Sequence, residues 1–426
     1  MFNKSKILYD KSKKIIPSGV NSSARFFSPY PFFVNAGKGS KITTVEGYQL
    51  IDYCMGYGAN LLGHAFTEVN ESVKEQIDKG NLFCTPTELE LKLAEKVSSI
   101  IPSAPMLRLA NSGMEATLHA IRLCRAFTKR KKILKFDGCY HGSHDYVLVN
   151  SNSGIGIPST GGSLNEITAQ TLVVPFNDIM TFERTIEKNS DIACVIIEPI
   201  CANMGLIPPE NGYLNEIRKI TQEKNILLIF DEVITGFRLS LGGASEYFKI
   251  SPDLLTFAKS MANGFPISAI AGKEEIMEQF TPKGNVYEAS TFAGNPISVS
   301  ASLATISILQ ENQNIIYPQM QKVCNELVKG ITDAITDLRV KAVINSIGSM
   351  FQIFFNNGKV KDAQTAKLSD TKMFTYFFKE LLAKGIFIPP SQFESCFLSF
   401  SHTLDDIKNT VQTFYDIFKI TNKSFL

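Results

Sequence analysis

The stretch Asn225-Ile-Leu-Leu-Ile-Phe-Asp-Glu-Val233 decides the fold class, together with Lys259-Ser-Met-Ala-Asn-Gly264. Residues 226–230 are five consecutive apolar residues, which is typical of a strand buried on both faces of a parallel sheet. The run ends in Asp231 and Glu232, so Asp231 is expected at the carboxyl edge of that strand. Ligands bind at this edge in open α/β sheets. The sequence therefore predicts an acid at a ligand-binding edge.

Lys259 follows a second short apolar run, residues 254–258, so it is expected to emerge beside Asp231. A desolvated amine can form a Schiff base, and an acid is suited to a cationic ring nitrogen. The pair suggests pyridoxal 5′-phosphate (PLP). Taken singly, Asp231 and Glu232 are equally typical of an ordinary strand-end turn, and Lys259 is equally typical of a solvated side chain.

A candidate phosphate site lies upstream of this pair. Residues 106–110 predict a strand, and apolar residues at helical spacing predict a helix through Phe127. Ser112 and Gly113 then fall at the start of that helix, where free N–H groups and the helix dipole favour an anion such as a phosphate monoester. The alternative is that Ser112 is only a helix-capping residue.

A series of motifs along the chain resembles those of the class III aminotransferases, which are PLP enzymes of fold type I. The motifs are Gly19-Val-Asn-Ser-Ser-Ala-Arg25, Pro31-Phe-Phe-Val, Leu62-Gly-His64, Thr85-Pro-Thr-Glu-Leu-Glu90, Asn111-Ser-Gly-Met-Glu-Ala-Thr117, Lys135-Phe-Asp-Gly-Cys-Tyr-His-Gly142, Glu198-Pro, Phe230-Asp-Glu-Val-Ile-Thr-Gly-Phe-Arg238, Thr291-Phe-Ala-Gly-Asn-Pro296 and Ser391-Gln-Phe-Glu394. Within the class, the chain is similar to the glutamate-1-semialdehyde 2,1-aminomutases. The resemblance runs from about residue 16 to residue 407.

Composition agrees with a cytoplasmic enzyme of more than one domain. The chain has 426 residues, 44% of them hydrophobic, and a formal net charge of only +2, so nothing points to nucleic acid or an anionic membrane as a partner. The start of the sequence lacks a signal peptide's apolar stretch, and no segment has the length of a membrane span. The eight cysteines form no Cys-x-x-Cys pair and the five histidines are scattered, which predicts reduced thiols and no metal site.

Strand-like runs alternate with helical stretches, which predicts a mainly parallel sheet covered by helices. The resemblance implies an α/β protein of fold type I with a seven-stranded type of sheet. We expect a large PLP-binding domain over residues 58–304, and a smaller α+β domain built from residues 1–57 and 305–426. The resemblance also implies a homodimer whose active sites lie at the subunit interface.

The resemblance assigns roles around the cofactor ring. Lys259 would bind the cofactor covalently and then shuttle protons, and Asp231 would keep the ring nitrogen protonated. Tyr140 would stack on one face of the ring and Val233 would pack on the other, although Tyr140 is also explained as a half-buried tyrosine at a strand end. Lys259, Asp231 and Tyr140 are the predicted catalytic residues.

The phosphate is expected to contact Ser112, Gly113 and, from the partner subunit, Thr291. Met114 stands where the aminomutases usually carry threonine, so one phosphate hydroxyl is expected to be missing. Such a loss costs on the order of 1 kcal/mol if water replaces it.

Two further residues, Glu198 and Asn203, follow a strand end in the Glu-Pro segment. The resemblance places them at the cofactor's O3′ side. The alternative is that they are a supporting acid and a loop amide without direct contact.

Two residues bear on the reaction. Arg25 matches the arginine used for the substrate carboxylate, a task that a guanidinium suits, although a solvated basic residue is the alternative. Glu394 matches an acid near that pocket, which would disfavour dicarboxylate donors such as glutamate. The predicted reaction is PLP- and pyridoxamine-phosphate-dependent conversion of glutamate-1-semialdehyde (4-amino-5-oxopentanoate) to the tetrapyrrole precursor 5-aminolevulinate, through 4,5-diaminopentanoate.

Two departures keep other functions open. The loop at residues 154–158 is shorter than the mobile loop that closes the site in the aminomutases. A short lid would let the diamine intermediate leak. The alternative is a routine deletion in a surface loop. In residues 259–266, Ala262 and Asn263 replace two of the three glycines usual in the aminomutases. These changes are explained either as tolerated or as the mark of a transaminase with a different amine or amino acid as substrate. A non-catalytic PLP-binding protein is a third alternative, and the intact Asp231, Lys259 and Tyr140 argue against it.

Overall fold

The computed structural model describes residues 2–149 and 160–424. The predicted short loop at residues 154–158 lies outside the described residues. The α-helices are α1 Asn3–Ser12, α2 Thr67–Ile77, α3 Glu88–Ile100, α4 Gly113–Thr128, α5 Asn165–Thr168, α6 Ile179–Glu187, α7 Tyr213–Glu223, α8 Gly243–Phe248, α9 Glu274–Met277, α10 Pro296–Glu311, α11 Gln313–Asp337, α12 Ala363–Lys367, α13 Thr371–Ala383 and α14 Leu404–Ser424. Short 3₁₀ turns occupy Pro17–Gly19, Ser23–Arg25 and Lys259–Ala262.

The strands are β1 Val34–Lys38, β2 Lys41–Thr44, β3 Gln49–Asp52, β4 Met106–Ala110, β5 Lys132–Phe136, β6 Thr171–Val174, β7 Ile192–Ile197, β8 Leu227–Glu232, β9 Leu254–Phe257, β10 Ser268–Gly272, β11 Val343–Ile347, β12 Met350–Phe354, β13 Ile386–Phe387 and β14 Cys396–Phe397. Seven of them form one sheet in the order β4-β10-β9-β8-β7-β5-β6. Only β10 runs antiparallel to its neighbours. The predicted fold, a mainly parallel seven-stranded sheet covered by helices, is confirmed.

The central strands of this sheet follow the expected burial pattern. Every residue of β7 is buried, and in β8 only the first residue is half-buried, because helices cover both faces of the sheet. Asp231 and Glu232 belong to β8 itself and do not follow it. Glu232 belongs to the strand because it pairs with Phe257 of β9, and its carboxylate accepts hydrogen bonds from Ser245 N (2.8 Å) and the Thr235 hydroxyl (3.0 Å).

Both ends of the chain build the remaining sheets. One sheet has the order β1-β2-β3-β13, in which Ile386 of β13 pairs with Ile51 of β3 in parallel. The other consists of β11, β12 and β14. Together with α11, α13 and α14 these strands share one apolar core. This pairing supports the proposed small domain made from both chain ends, whose bounds stay a prediction.

The seven-stranded sheet places several loops at one edge. Because β10 is antiparallel to both β4 and β9, strand β4 runs parallel to β9, β8, β7 and β5. The carboxyl ends of these five strands therefore lie at the same edge, where open α/β sheets bind ligands. The segments that follow them carry most of the residues predicted for the site.

Candidate active site

Asp231 lies at the floor of the site with its carboxylate fixed on both oxygens. Only 4% of the residue is exposed. Its Oδ1 accepts hydrogen bonds from Val233 N (3.1 Å) and from the hydroxyl of Thr256 (3.2 Å), its register partner on β9. His141 Nδ1 donates to its Oδ2 (2.7 Å). These contacts hold the carboxylate in one orientation and leave little freedom for the side chain to turn away.

His141 is a site residue that the sequence reasoning missed. Its ring is fully buried, and its Nε2 has no hydrogen-bond partner within the described part of the chain. Burial lowers the pKa of His141, which favours the neutral ring. Its position beside Tyr140 in the Tyr-His-Gly motif was a signal, but a lone loop histidine does not reveal that it contacts an aspartate 90 residues away.

Lys259 comes two residues after the end of β9 and opens the turn Lys259–Ala262. Its φ of 46° lies in the left-handed region, which is uncommon for a residue with a side chain and is found at functional sites. Burial lowers the pKa of Lys259, while the nearby carboxylates of Glu394, Glu198 and Asp231 act in the opposite direction. A lowered pKa increases the fraction of neutral, nucleophilic amine.

The start of α4 opens into the same site. Ser112 is the N-cap of this helix, and its hydroxyl accepts a hydrogen bond from Glu115 N (3.3 Å). Gly113 lies so close to Val233 that an added Cβ would come within 2.9 Å of a Val233 methyl group. The helix start therefore presents bare backbone N–H groups beside Val233, as an anion site requires. Its role toward phosphate stays a prediction.

Glu198 connects Tyr140 and Asn203. Its Oε1 accepts from Tyr140 N (2.7 Å), and its Oε2 accepts from Asn203 Nδ2 (2.9 Å) and Ala202 N (3.0 Å). Burial, aided by the nearby carboxylate of Asp231, raises the pKa of Glu198 to about 8. Glu198 therefore fixes the backbone of Tyr140 and, at neutral pH, holds a proton that an exposed glutamate would have lost.

These residues surround one cavity of about 390 Å³, which we call the inner cavity. It is lined by the predicted residues Ser112, Gly113, Met114, Tyr140, Glu198, Asn203, Asp231, Val233, Lys259 and Glu394, and also by Ser22, Ser23, Ala24, Tyr57, His141, Gly142 and Ile234, which were not predicted as site residues. Burial raises the pKa of Glu394 to about 7 against the opposing effect of Lys259.

Two predicted residues lie outside the lining of the inner cavity. Arg25 is exposed and directly follows Ala24, which lines the cavity. Thr291 is also exposed, in a segment that contacts the start of the phosphate motif through a hydrogen bond from Asn111 Nδ2 to Ser290 Oγ (2.6 Å). The exposure of Thr291 is compatible with its predicted role toward a partner subunit, which stays a prediction.

Three possible metal ligands, Cys139, Glu198 and Cys201, have their ligand atoms within 4.8 Å of one another, and of these three Glu198 alone lines the inner cavity. Both Glu198 oxygens already accept hydrogen bonds. Burial raises the pKa of the Cys139 thiol. At Cys201, the hydrogen bond with Cys139 raises the pKa of the thiol most, and burial raises it further. Because a metal binds the thiolate form, this environment favours a pair of neutral thiols.

Comparisons with known proteins identify the family of the chain. A family model described as aminotransferase class-III matches residues 23–418. The glutamate-1-semialdehyde 2,1-aminomutase of Nitrosopumilus maritimus is 51% identical over 411 residues, covering 96% of this chain and 97% of the relative. The enzyme of the same name from Methanocaldococcus jannaschii is 48% identical over 421 residues, covering 98% of each chain.

Solved structures show the same fold. An omega-transaminase from Sphaerobacter thermophilus superposes with a TM-score of 0.92 at 31% identity, covering 97% of both chains. A glutamate-1-semialdehyde-aminomutase from Pseudomonas aeruginosa superposes with a TM-score of 0.87 at 23% identity, covering 97% of this chain and 93% of that one. The predicted family is therefore confirmed. The chain belongs to the class-III aminotransferase family.

Proposed function

We propose that the protein is a PLP-dependent glutamate-1-semialdehyde 2,1-aminomutase. It would convert 4-amino-5-oxopentanoate to 5-aminolevulinate by intramolecular amino transfer through 4,5-diaminopentanoate, a step toward tetrapyrroles. The observation that carries the proposal is the near-complete match, at 51% and 48% identity, to relatives of that name. The inner cavity supports it, because Lys259, Asp231 and Glu394 face the same space.

The residues of the inner cavity fit PLP. Asp231 offers a buried, oriented carboxylate for a cationic ring nitrogen, and the start of α4 offers N–H groups for the phosphate. Tyr140 and Val233 line the cavity where the flat ring would lie. When bound, PLP or its pyridoxamine form supplies an electron-withdrawing ring and carries the amino group.

Lys259 would do the acid–base work of the reaction. Its lowered pKa keeps part of the amine neutral, so its Nζ can accept a proton from one substrate carbon and return it to another. Asp231 would hold the proton on the ring nitrogen, and His141 would hold Asp231 in place through the 2.7 Å hydrogen bond. Tyr140, whose backbone N–H donates to Glu198, would pack against one face of the bound ring and limit its movement.

Glu394 and Arg25 would select the substrate. A carboxylate at Glu394 repels a second negative charge, so it disfavours dicarboxylates such as glutamate as external amino donors. Arg25 would bind the single carboxylate of 4-amino-5-oxopentanoate at the edge of the cavity. Retaining the amino group within one molecule then requires no external donor or acceptor.

We further propose a homodimer. Exposed aromatic residues flank Thr291: Phe292 is 59% exposed and Tyr287 is 71% exposed. Phe83, 46% exposed, joins this surface, because Asn295 Nδ2 donates to Asn81 O (2.9 Å) and ties the two segments together. Exposed apolar residues grouped in this way are typical of subunit interfaces. The partner's copy of this surface would cover it and bring Thr291 to the second active site.

We propose the cytoplasm as its location, because all eight cysteines are free, as expected in a reducing compartment. None of the helices in residues 2–149 and 160–424 combines the length and apolar character needed to cross a membrane.

The proposal is tested by incubating the PLP-loaded protein with 4-amino-5-oxopentanoate and no amino donor. We expect 5-aminolevulinate to form, and Lys259→Ala to reduce the rate by at least about 1,000-fold, because it removes both the covalent link and the proton shuttle. A chain that makes no product but converts the PLP spectrum with another amine, and then regenerates it with an oxo acid, would be a transaminase. Because the chain is 31% identical to the omega-transaminase, a transaminase is the second candidate function.

A further inference from the structure

The turn Ser23–Arg25 is held at the active site by a hydrogen bond from a distant tyrosine. The hydroxyl of Tyr57 donates to the backbone oxygen of Ala24 (2.5 Å), 33 residues away in sequence. Within the turn, Arg25 N donates to Ser22 O (3.0 Å) and Phe26 N donates to Ser23 O (3.0 Å). A turn with only two such internal bonds has little stability of its own, so the contact with Tyr57 contributes to its position.

This turn separates two cavities. Ser23, Ala24 and Glu394 line the inner cavity, which contains Lys259. The same three residues line a second cavity of about 610 Å³, which we call the outer cavity. Its remaining walls are mostly apolar and include Tyr9, Phe26, Phe27 and Phe378. Movement of the turn would therefore merge the space around Lys259 with the outer cavity.

Tyr57 itself is attached rigidly. It belongs to four consecutive residues with positive φ, Met55 (44°), Gly56 (62°), Tyr57 (55°) and Gly58 (88°). Such backbone persists only where its surroundings impose it. Asp52 Oδ1 accepts from Met55 N (3.1 Å) before this segment, and Gly58 O accepts from the buried Arg238 Nη2 (2.7 Å) at its end. These contacts and this backbone conformation therefore hold the Tyr57 side chain in a fixed position.

We propose that Tyr57 is a positioning residue: its hydroxyl holds the turn Ser23–Arg25 as a wall between the inner and outer cavities. This inference rests on the proposed function for its catalytic meaning, because the wall would keep the diamine intermediate beside Lys259. It would also present Arg25, the residue after Ala24, to the substrate carboxylate. Tyr57 takes no part in proton transfer.

The test compares Tyr57→Phe with Tyr53→Phe, a matched control four residues earlier in the chain. Both variants lose one tyrosine hydroxyl, but that of Tyr53 is bonded to Thr410 Oγ1 (2.8 Å) and Tyr53 is fully buried and lines neither cavity. In the cofactor-free protein, we expect Tyr57→Phe to speed hydrogen exchange of the Arg25 and Phe26 amides about fivefold, as expected for the loss of one hydrogen bond. Tyr53→Phe should leave these amides unchanged.

In the loaded enzyme, Tyr57→Phe should raise the KM for 4-amino-5-oxopentanoate about fivefold, keep kcat within about twofold, and release more free 4,5-diaminopentanoate. Unchanged exchange at Arg25 and Phe26, or equal changes of KM in both variants, would overturn the inference. If the wild-type protein makes no 5-aminolevulinate, the proposed function fails, whereas the exchange experiment still decides whether Tyr57 holds the turn.

Discussion

The half-buried Glu394 differs from the buried acids near the active site in what faces it. Glu198 and Glu232 are held by backbone N–H donors, whereas the Glu394 side chain faces the inner and outer cavities and the amine of Lys259. Burial raises the pKa of Glu394 to about 7. Its charge therefore changes within the range in which the enzyme is expected to work, and its repulsion of dicarboxylates should strengthen as pH rises through 7.

The same group makes stability depend on pH. Since the folded pKa of Glu394 is about 7 and its ordinary value is 4.5, the folded chain keeps a proton that the unfolded chain loses between these values. Stability therefore falls as pH rises from about 4.5 to 7. We expect Glu394→Gln, in the cofactor-free protein, to lose about 2 kcal/mol less free energy of unfolding than wild type between pH 5 and pH 7.5.

Urea unfolding at the two pH values measures this difference. Glu75→Gln, a change at an exposed glutamate of α2, serves as the control and should follow wild type. Equal pH dependence in wild type and Glu394→Gln would show that Glu394 ionises in the folded protein as it does in the unfolded chain.

At the scale of elements, the start of α4 combines three features of a phosphate site with one departure. It has a capping serine, a glycine packed against Val233 and free N–H groups, but Met114 supplies no hydroxyl. The Met114 sulfur instead accepts a hydrogen bond from Ser143 Oγ (3.1 Å). We therefore predict that this helix start would bind the phosphate mainly through backbone N–H groups, with a further contact from the partner subunit.

We expect Met114→Thr to tighten PLP binding about fivefold, because the new hydroxyl can donate to the phosphate. Equilibrium release of PLP, followed by its absorbance, measures the change. Met180→Thr is a matched control, since Met180 is the second residue of α6 as Met114 is of α4, but it is 72% exposed and away from the cavity. If Met114→Thr binds PLP no more tightly than wild type, the position does not contact phosphate.

The elements could be predicted from the sequence because local patterns determine them. The apolar run before Asp231 and the strand before Lys259 were both recognised, and the resemblance placed ten site residues that line one cavity. The contacts between His141 and Asp231 and between Tyr57 and Ala24 could not be predicted, since they join residues 90 and 33 positions apart through loops with no periodic pattern. The hydrogen bonds of the Glu232 carboxylate could not be predicted either, because its backbone donors Ala244 and Ser245 lie 12 and 13 residues further along the chain.

At the scale of the whole molecule, the proposed dimer makes a complementation test available. If Thr291 serves the partner's active site, a heterodimer of Lys259→Ala and Thr291→Ala chains contains one fully wild-type site and one with both defects. If Thr291 serves its own chain, each site carries one defect.

We therefore expect refolding of the two variants as a mixture to restore activity at limiting PLP to about a quarter of wild type, because about half of the dimers are then mixed and each has one intact site. The Thr291→Ala dimer alone, measured at the same PLP concentration, is the control. Activity of the mixture that never exceeds half that of Thr291→Ala would contradict the shared site.

The pairing of β13 with β3 has a consequence for synthesis on the ribosome. Ile51 cannot pair with Ile386 until roughly 330 further residues have been synthesised, which takes tens of seconds at about 5–20 residues per second. Meanwhile all seven strands of the large sheet, which end at Gly272, have already emerged. The seven-stranded sheet can thus form first, while one edge of β3 remains unpaired and can pair with strands of other chains. Nascent chains stalled before residue 386 should be the aggregation-prone species.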